Sequence, residues 1–276
     1  MVQWQQKTVV ITGGSAGLGR ELALAFLQRQ ATVIVVARDI ERLDNLKRTS
    51  DDRVHTYACD VTSDESVDEL MTRLNADFDK IDVWVNNVGR SDRGEARDTA
   101  VAEFEKSLQI NFLSTVRCTN AILPLLLESR GKLINIGSLA CKSGGMNIGA
   151  YPAGKHALAA YSQQLRMELA ADCVDVLLVC PGPVDRREPR SETAQYDISD
   201  SRPAAATGPG GGVRLKLIDP QRLAKQIIRA CEKNKLELVV PRRAKLLFAI
   251  SQLCPRVGDW VLRKKTNTKF LSKSDP

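Results

Sequence analysis

Residues 7–20 read KTVVITGGSAGLGR, a short β-branched run that leads directly into a glycine-rich turn. Residues 7–12 have the composition of a buried strand, and the apolar spacing after the turn predicts a helix to about Arg29. Glycines between a strand and a helix let the backbone approach a pyrophosphate, whose charge then lies at the helix N-terminus. We therefore interpret the segment as the phosphate-binding start of an α/β domain. A purely structural turn is the alternative.

The rest of the chain repeats this strand-then-helix order. Further apolar runs that predict strands, each followed by a helical or loop pattern, lie at 32–37, 53–58, 81–86, 132–137, 173–180 and 236–241. A chain of 276 residues with this alternation predicts one α/β domain, a doubly wound parallel sheet of about seven strands with helices on both faces. We place this domain at 1–241, with a flexible substrate-binding loop and lid at 186–218 and a C-terminal extension at 242–276.

The composition excludes several classes of protein. Hydrophobic residues make up 43% and charged residues 26%, as in ordinary soluble domains. Residues 1–7 lack the charged-then-apolar pattern of a leader and no uninterrupted apolar run reaches about 18 residues, so we expect neither a cleaved leader nor a membrane span. Seven scattered cysteines and two histidines predict buried free thiols in a reducing compartment rather than a metal site or a disulfide framework. We therefore expect a cytoplasmic protein.

The residue after the second strand bears on the cofactor. An acidic side chain there binds the ribose 2′-hydroxyl of NAD, whereas an arginine accommodates the 2′-phosphate of NADP. Here the residue is Arg38, which predicts NADP(H), with Ser15 in the glycine turn as a further donor. Asp39 keeps open the alternative that Arg38 only caps the next helix. Asp60, after the third strand, is equally suited to binding adenine and to capping its own loop.

A second informative stretch, residues 138–155, reads SLACKSGGMNIGAYPAGK. Tyr151 and Lys155 stand four residues apart, on one face of a predicted helix, and Ser138 precedes them across a glycine-rich loop. A phenol beside an ammonium and a hydroxyl can transfer a proton at neutral pH. The alternative is an ordinary tyrosine that packs on a lysine stem. Asn111, within a predicted helix at 100–129, is either a satisfied core amide or a water site in a bent helix.

Taken in order, these motifs resemble the short-chain dehydrogenase/reductase family over residues 7–241. TGGSAGLG is similar to the family's Thr-Gly-x-x-x-Gly-x-Gly loop, NNVG to its Asn-Asn-Ala-Gly element, and PGPV to its Pro-Gly element after the sixth strand. Asn111, Ser138, Tyr151 and Lys155 match the family's catalytic tetrad. The resemblance implies a Rossmann fold and the following cofactor-binding residues: Thr12, Gly13, Ser15, Gly17, Leu18, Gly19, Arg38, Asp60, Val61, Asn87, Gly89, Tyr151, Lys155, Pro181, Gly182 and Val184.

The resemblance also implies roles for the four tetrad residues. Lys155 would lower the pKa of the phenol and bind the nicotinamide ribose, and Tyr151 would act as general acid or base. Ser138 would hold the substrate oxygen, and Asn111 would position a water in a proton relay to Lys155. The expected reaction is hydride transfer between NADP(H) and the carbonyl or secondary alcohol of a small hydrophobic substrate. Such proteins often pair, which implies a homodimer or homotetramer.

Two positions depart from the family pattern. Arg186 stands where a threonine usually contacts the nicotinamide carboxamide, and Pro152 directly follows the tyrosine, where it is compatible with a helix start. Arg186 supports an alternative function, an NADP-binding sensor or scaffold with little turnover. An NAD-dependent dehydrogenase is a further alternative, which Arg38 disfavours.

The C-terminal extension carries the charge asymmetry of the chain. Residues 241–276 contain nine Lys or Arg and two Asp. Their net charge of +7 equals the formal net charge of the whole protein. Residues 245–265 combine apolar segments, Trp260 and flanking cations, which suits a peripheral membrane contact. This extension also resembles the C-termini of membrane-associated family members that act on lipophilic ketones, steroids or long-chain carbonyls. A core-packing helix with a solvated basic end is the alternative. Nucleic acid is disfavoured because the aromatic residues lie among leucines.

Overall fold

Seven parallel strands form one sheet in the order β3-β2-β1-β4-β5-β6-β7. The computed structural model of the protein describes residues 2–50, 52–185 and 216–266. The strands are β1 Thr8–Thr12, β2 Thr32–Ala37, β3 Val54–Ala58, β4 Val83–Asn86, β5 Lys132–Ile136, β6 Asp175–Pro181 and β7 Glu237–Val240. Each predicted strand end is within two residues of the observed end. The prediction of a doubly wound, single-sheet Rossmann fold is confirmed.

Helices cover both faces of the sheet. The helices are α1 Gly17–Leu27, α2 Ile40–Thr49, α3 Asp64–Asp77, α4 Val101–Leu108, α5 Ser114–Ser129, α6 Tyr151–Glu168, α7 Pro220–Glu232, α8 Arg243–Leu253 and α9 Pro255–Lys265. Apolar residues of α1, α2 and α7 pack on one face, and those of α3, α5 and α6 pack on the other. Successive residues of one strand pack on opposite faces of the sheet. Val9 packs with α1, α2 and α7 in the first core cluster, and Val10 packs with α3, α5 and α6 in the second core cluster. This two-sided burial explains why the strands are continuously apolar.

The predicted helix at 100–129 consists of three parts. A π-helical turn, Gln109–Leu113, connects α4 to α5. The stretch Val101–Ser129 is the one helical segment among the described residues with the length and composition to cross a membrane. A core helix passes the same test, and Ile122 and Leu126 of this stretch are fully buried against the sheet.

The cysteines are free, but not all of them are buried. Five lie in the interior, whereas Cys173 and Cys254 are exposed, which corrects the prediction of buried thiols throughout. Cys173 occupies a left-handed turn just before β6, and Cys254 lies between α8 and α9, so both fall where the chain reverses at the surface. Within the described ranges, no group of three or more His, Cys, Asp or Glu side chains is arranged to hold a metal ion.

A buried polar network joins the centre of the sheet to the helices on one face. Asn86 Nδ2 donates to Asn135 Oδ1 at 2.9 Å and to Thr119 Oγ1 at 3.1 Å. Trp84 Nε1 donates to Asn86 Oδ1 at 2.8 Å, and Asn135 Nδ2 donates to Ser162 Oγ at 3.0 Å. The network therefore fixes β4 and β5 relative to α5 and α6, the helices that flank the candidate site.

We expect Asn135→Ala to lower the free energy of unfolding by about 2–3 kcal/mol, because it removes two buried hydrogen bonds and leaves a small cavity. Urea denaturation followed by circular dichroism measures this loss. The matched control is Asn45→Ala on the exposed side of α2, for which we expect a change within about 0.5 kcal/mol. An equal effect of the two substitutions would show that the network contributes nothing to stability.

The predicted loop and lid at 186–218 and the end of the extension fall largely outside the described residues. Asp219 caps α7 as expected, because its carboxylate accepts from the Arg222 backbone N–H at 2.8 Å. The division of the chain into a domain at 1–241 and an extension at 242–276 stays a prediction.

Candidate active site

The predicted site residues converge at the carboxyl edge of the sheet. Thr12 ends β1, Asn87 follows β4, and Ser138 follows β5, and these three strands are neighbours in the sheet. Folds of this type bind their ligands at this edge, beside β1, where the strand order reverses direction. The topology thus brings the glycine turn and the 138–155 stretch to one place.

The glycine turn is held rigidly against the end of β4. Thr12 Oγ1 donates to the Val85 carbonyl at 3.2 Å and accepts from the Asn87 backbone N–H at 3.1 Å. Asn87 Nδ2 donates to the carbonyls of Thr12 and Gly13 at 3.2 and 3.0 Å. Gly13 has φ +63°, a left-handed conformation that favours glycine. The amide of Asn87 therefore ties the two motifs TGGSAGLG and NNVG together.

The same turn packs closely against the start of α1. A Cβ atom at Gly19 would lie 2.2 Å from the Gly13 carbonyl oxygen, so only glycine permits this close packing of helix on turn. Helix α1 begins at Gly17 after Ala16, and no side chain caps its N-terminus. The first N–H groups of α1 and its dipole are thus suited to an anion such as a pyrophosphate. Ser15 lies in this turn, and Leu18 packs against the first core cluster.

Arg38 is at the edge of the predicted adenosine side of the site. Its side chain is 69% exposed, and its Nη1 lies 3.7 Å from Asp60 Oδ2. Asp39 rather than Arg38 caps α2, because the Asp39 carboxylate accepts from the Arg42 N–H at 3.1 Å. The alternative that Arg38 serves as the helix cap is therefore wrong.

Asp60 is used at least in part to order its own loop. Its Oδ1 accepts from Thr62 N at 2.9 Å and from Thr62 Oγ1 at 2.7 Å. Burial acts against ionisation, but these bonds and nearby Arg38 lower the pKa of Asp60. Val61 points into the second core cluster. Loop capping by Asp60 is confirmed, and adenine binding by Asp60 and Val61 stays a prediction.

Asn111 lies in the π turn and is fully buried. Its Oδ1 accepts from the Arg90 N–H at 2.9 Å, and its Nδ2 donates to the Arg90 carbonyl at 2.9 Å and to Ser107 Oγ at 3.2 Å. The expectation of a satisfied core amide is therefore confirmed, the helix is distorted at this residue, and a water site there stays a prediction. Sequence reasoning missed Ser107 and the Arg90 backbone as its partners.

Lys155 is the central cation of the site. The side chain is buried, and Nζ donates to the Ile136 carbonyl at 3.0 Å. Nζ also lies 5.9 Å from the centroid of the Tyr151 ring. A Cβ at Gly89 would be 3.1 Å both from this Nζ and from Asn111 Oδ1, so Gly89 is adjacent to both side chains. Burial lowers the pKa of Lys155 because it disfavours the charged form.

Ser138 is held in an extended conformation at the start of a short 3-10 turn, Leu139–Cys141. Its Oγ accepts from Ala140 N at 3.1 Å, and its own N–H donates to Cys141 Sγ at 3.4 Å. Cys180 donates to Cys141, and this bond together with burial raises the pKa of Cys180. Sequence reasoning missed Cys141, whose spacing of three residues from Ser138 resembles a helix capping box.

The PGPV segment lies beside β7. Pro181 ends β6, the Gly182 N–H donates to the Val240 carbonyl at 2.8 Å, and Val184 forms a parallel bridge with Ile218. Pro152 occupies the first turn of α6, so the departure after the tyrosine is compatible with the helix. Arg186, the other departure, lies outside the described residues.

Comparisons with known proteins show which family the chain resembles in sequence. A model of the short chain dehydrogenase family matches residues 7–196. A Drosophila melanogaster protein named dehydrogenase/reductase SDR family protein 7-like is 29% identical over 268 residues, which cover 94% of this chain and 80% of that protein. The uncharacterized oxidoreductase YxnA of Bacillus subtilis is 30% identical over 268 residues, with coverage of 94% and 72%.

Solved structures show the same relationship. A short-chain dehydrogenase from Streptomyces avermitilis superposes with a TM-score of 0.79 at 30% identity, covering 92% of this chain and 94% of that one. A short-chain dehydrogenase from Burkholderia cenocepacia in complex with NADP shares the fold, with a TM-score of 0.76 at 22% identity and coverage of 95% and 99%. Such proteins use NAD(P)(H). The family match and the similarity to these proteins lead to one conclusion: the chain belongs to the short-chain dehydrogenase/reductase family and is an oxidoreductase.

Proposed function

We propose that the protein is an NADP(H)-dependent oxidoreductase that interconverts a carbonyl and a secondary alcohol in a small hydrophobic substrate. The observation that carries the proposal is the placement of Lys155, whose buried Nζ lies beside the Tyr151 ring at the sheet edge that also bears the glycine cradle. When bound, the nicotinamide supplies or accepts the hydride. The glycine turn, Asn87 and Lys155 would hold the cofactor.

Tyr151 would transfer the proton. The positive charge of Lys155 would lower the pKa of the phenol, so that Tyr151 donates a proton in reduction and accepts one in oxidation. Ser138 Oγ accepts from Ala140 N, which leaves the Ser138 proton to donate to the substrate oxygen. Both proposed roles act on the same oxygen, the one that changes between carbonyl and alcohol.

Asn111 would contribute a water site rather than contact the substrate. Both N–H donors of its amide are used, by the Arg90 carbonyl and Ser107 Oγ, and Oδ1 keeps one lone pair for a water. Gly89 leaves no side chain between Oδ1 and Lys155 Nζ. A water held there would supply a proton, which Lys155 would pass on to replace the one that Tyr151 donates.

The choice of NADP(H) rests on Arg38. We expect Arg38→Asp to lower kcat/KM for NADPH by about 10- to 100-fold, because it removes a charge-assisted bond to the 2′-phosphate and adds repulsion. The same change should raise kcat/KM for NADH, since a carboxylate accepts from the ribose hydroxyl. Kinetics with both cofactors measure this preference, with Arg48→Asp on the exposed side of α2 as the control. A ratio of NADPH to NADH efficiency that does not change would contradict the assignment.

The hydrophobic substrate class is supported by apolar side chains beside the PGPV segment. Leu139 Cδ1 and Ile218 Cδ1 would lie 3.4 and 3.6 Å from a Cβ at Gly182, which puts both next to the PGPV segment. Among the relatives, the Nostoc protein named ketoacyl reductase HetN is 28% identical over 267 residues, covering 93% of this chain and 88% of that protein. We infer a ketone with an extended apolar group.

A panel of hydrophobic ketones tests the function directly. Loss of NADPH absorbance with at least one of them is the expected result, and cyclic, aliphatic and β-keto thioester substrates define the class. The alternative of an NADP-binding sensor or scaffold predicts tight NADPH binding with no turnover of any member of the panel. Fluorescence titration of NADPH therefore accompanies the panel and separates the two functions.

We further propose that the protein forms a homodimer or homotetramer in a reducing, cytoplasmic setting. Leu113 and Met167, on the segments that carry Asn111 and Tyr151, are exposed apolar residues that suit a subunit interface. A light-scattering mass equal to that of one chain would contradict the oligomer.

A further inference from the structure

Helices α8 and α9 form a close-packed hairpin at the end of the described chain. A Cβ at Gly258 would lie 2.5 Å from Ser251 Oγ and 2.9 Å from Ser251 Cα, so the helices touch at this point. Phe248 anchors α8 to the body, in one cluster with Cys141, Cys180 and Val239. The expectation of a core-packing helix is thus correct for one face of α8 alone.

The opposite face of α8 is apolar and exposed. Leu246, Ile250 and Leu253 follow the i, i+4, i+7 spacing of a single helical stripe, on the side away from Phe248. Leu253 is 88% exposed and Leu246 is 68% exposed. On α9, Val257 and Trp260 are also exposed, and Trp260 is 60% accessible. Exposed leucines on α8 and an exposed tryptophan on α9 indicate a binding surface on the hairpin.

The hairpin is also strongly cationic. Between Arg242 and Lys264 there are six Lys or Arg and a single acidic residue, Asp259. None of the six forms an ion pair with a carboxylate of the described residues. Lys264 Nζ lies 4.7 Å from the Trp260 ring centroid, so cation and aromatic side chain occupy the same surface. The surface therefore offers apolar contacts and unpaired positive charge together.

We propose that the α8–α9 hairpin docks on the surface of an anionic lipid bilayer. The leucines and Trp260 would enter the interface between headgroups and acyl chains, and the cations would contact the phosphates. A second copy of this chain is disfavoured as the occupant, because a symmetric interface would bring the six cations of each copy together. The positive charge of the hairpin is complementary to an anionic bilayer and not to a second hairpin, which favours the bilayer as the occupant.

The hairpin lies close to the substrate edge of the fold. Strand β7 ends at Val240 and α8 begins at Arg243, so α8 starts at the carboxyl edge where the site residues converge. Phe248 packs in the cluster of Cys141, whose Sγ accepts from the Ser138 N–H. A docked hairpin would present this edge to the bilayer, a route for a membrane-dissolved substrate; this last step rests on the proposed function.

Vesicle co-sedimentation of the full chain tests the docking without substrate or cofactor. We expect binding to vesicles of phosphatidylserine and phosphatidylcholine, and little to phosphatidylcholine alone. Arg263→Gln with Lys264→Gln should weaken binding by about 25-fold, since each cation near such a surface contributes about 1 kcal/mol. Leu253→Glu with Trp260→Glu should abolish it. The matched controls are Lys47→Gln with Arg48→Gln and Val101→Glu with Leu236→Glu, all exposed and outside the hairpin.

Several outcomes would overturn the docking proposal. Equal binding to neutral and anionic vesicles, no binding to either, or the same loss in the control variants would do so. A fall in light-scattering mass caused by Leu253→Glu with Trp260→Glu in the absence of vesicles would assign the surface to a second copy instead. Ketone reduction by these variants reports separately on the proposed function, because no hairpin residue belongs to the active site.

Discussion

Tyr151→Phe is expected to abolish turnover and to leave NADPH affinity nearly unchanged. The substitution removes only the hydroxyl that would exchange the proton. General acid–base catalysis by such a group contributes about 10²- to 10⁴-fold to the rate. The ring keeps its position at the start of α6, and Lys155 keeps its bond to the Ile136 carbonyl at 3.0 Å, so the cofactor side of the site is preserved. Steady-state kinetics with the best ketone of the panel and fluorescence titration of NADPH measure the two effects separately.

The control for this prediction is Tyr161→Phe, on the same helix. The Tyr161 hydroxyl lies 3.4 Å from Asn120 Oδ1, away from the residues of the site, so its removal should change kcat by less than about twofold. Turnover by Tyr151→Phe within tenfold of the unsubstituted protein would refute the role of Tyr151 as acid and base. A combined loss of turnover and of NADPH binding would point instead to a structural role for the phenol.

Gly19→Ala is expected to produce the second large effect, a loss of cofactor binding. The added Cβ would lie 2.2 Å from the Gly13 oxygen and 2.6 Å from Asn87 Nδ2, and neither neighbour can move freely. The turn must shift, which breaks the bonds from Asn87 to the carbonyls of Thr12 and Gly13. Overpacking of this kind costs about 1–3 kcal/mol, so we expect NADPH affinity to fall by about 10- to 100-fold or more.

Gly144→Ala is the matched control, because a Cβ there meets nothing within 4 Å and the residue has no positive φ. Fluorescence titration gives the affinities, and thermal denaturation shows whether each variant is folded. If Gly19→Ala binds NADPH as tightly as Gly144→Ala does, the glycine turn is not the cofactor cradle.

Local patterns predicted the elements well, because turn chemistry and hydrophobic periodicity act over a few residues. The strands of the sheet and the start of α6 at Tyr151 follow from such patterns. The sequence alone left open whether Arg38 only caps the next helix, although a carboxylate such as that of Asp39, and not a guanidinium, accepts from the N–H groups at a helix start. The backbone places the Asp39 carboxylate against the Arg42 N–H, which leaves Arg38 at the surface.

Contacts between distant segments explain what sequence reasoning missed. The Asn111 amide bonds to the Arg90 backbone across 21 residues, and no short motif joins these two positions. The extension shows the same limit, because one helix carries both a core anchor, Phe248, and an exposed apolar stripe. Composition alone cannot assign residues to the two faces until the body that covers one of them is known.

The sequence by itself determined the order of strands and helices, the glycine turn and the identity of the four candidate catalytic residues. The elements and the glycine turn follow from residue types at short spacing, which act within one turn or one strand, whereas the four candidate residues follow from the resemblance of the ordered motifs to a known family. Only the tertiary structure decided that Lys155 is buried beside Tyr151, that Gly89 is adjacent to both Lys155 and Asn111, and that Phe248 packs the hairpin against the core. Those contacts depend on how the parallel strands align their carboxyl ends at one edge and on how the helices pack against them. This arrangement is a property of the packed sheet rather than of any one segment.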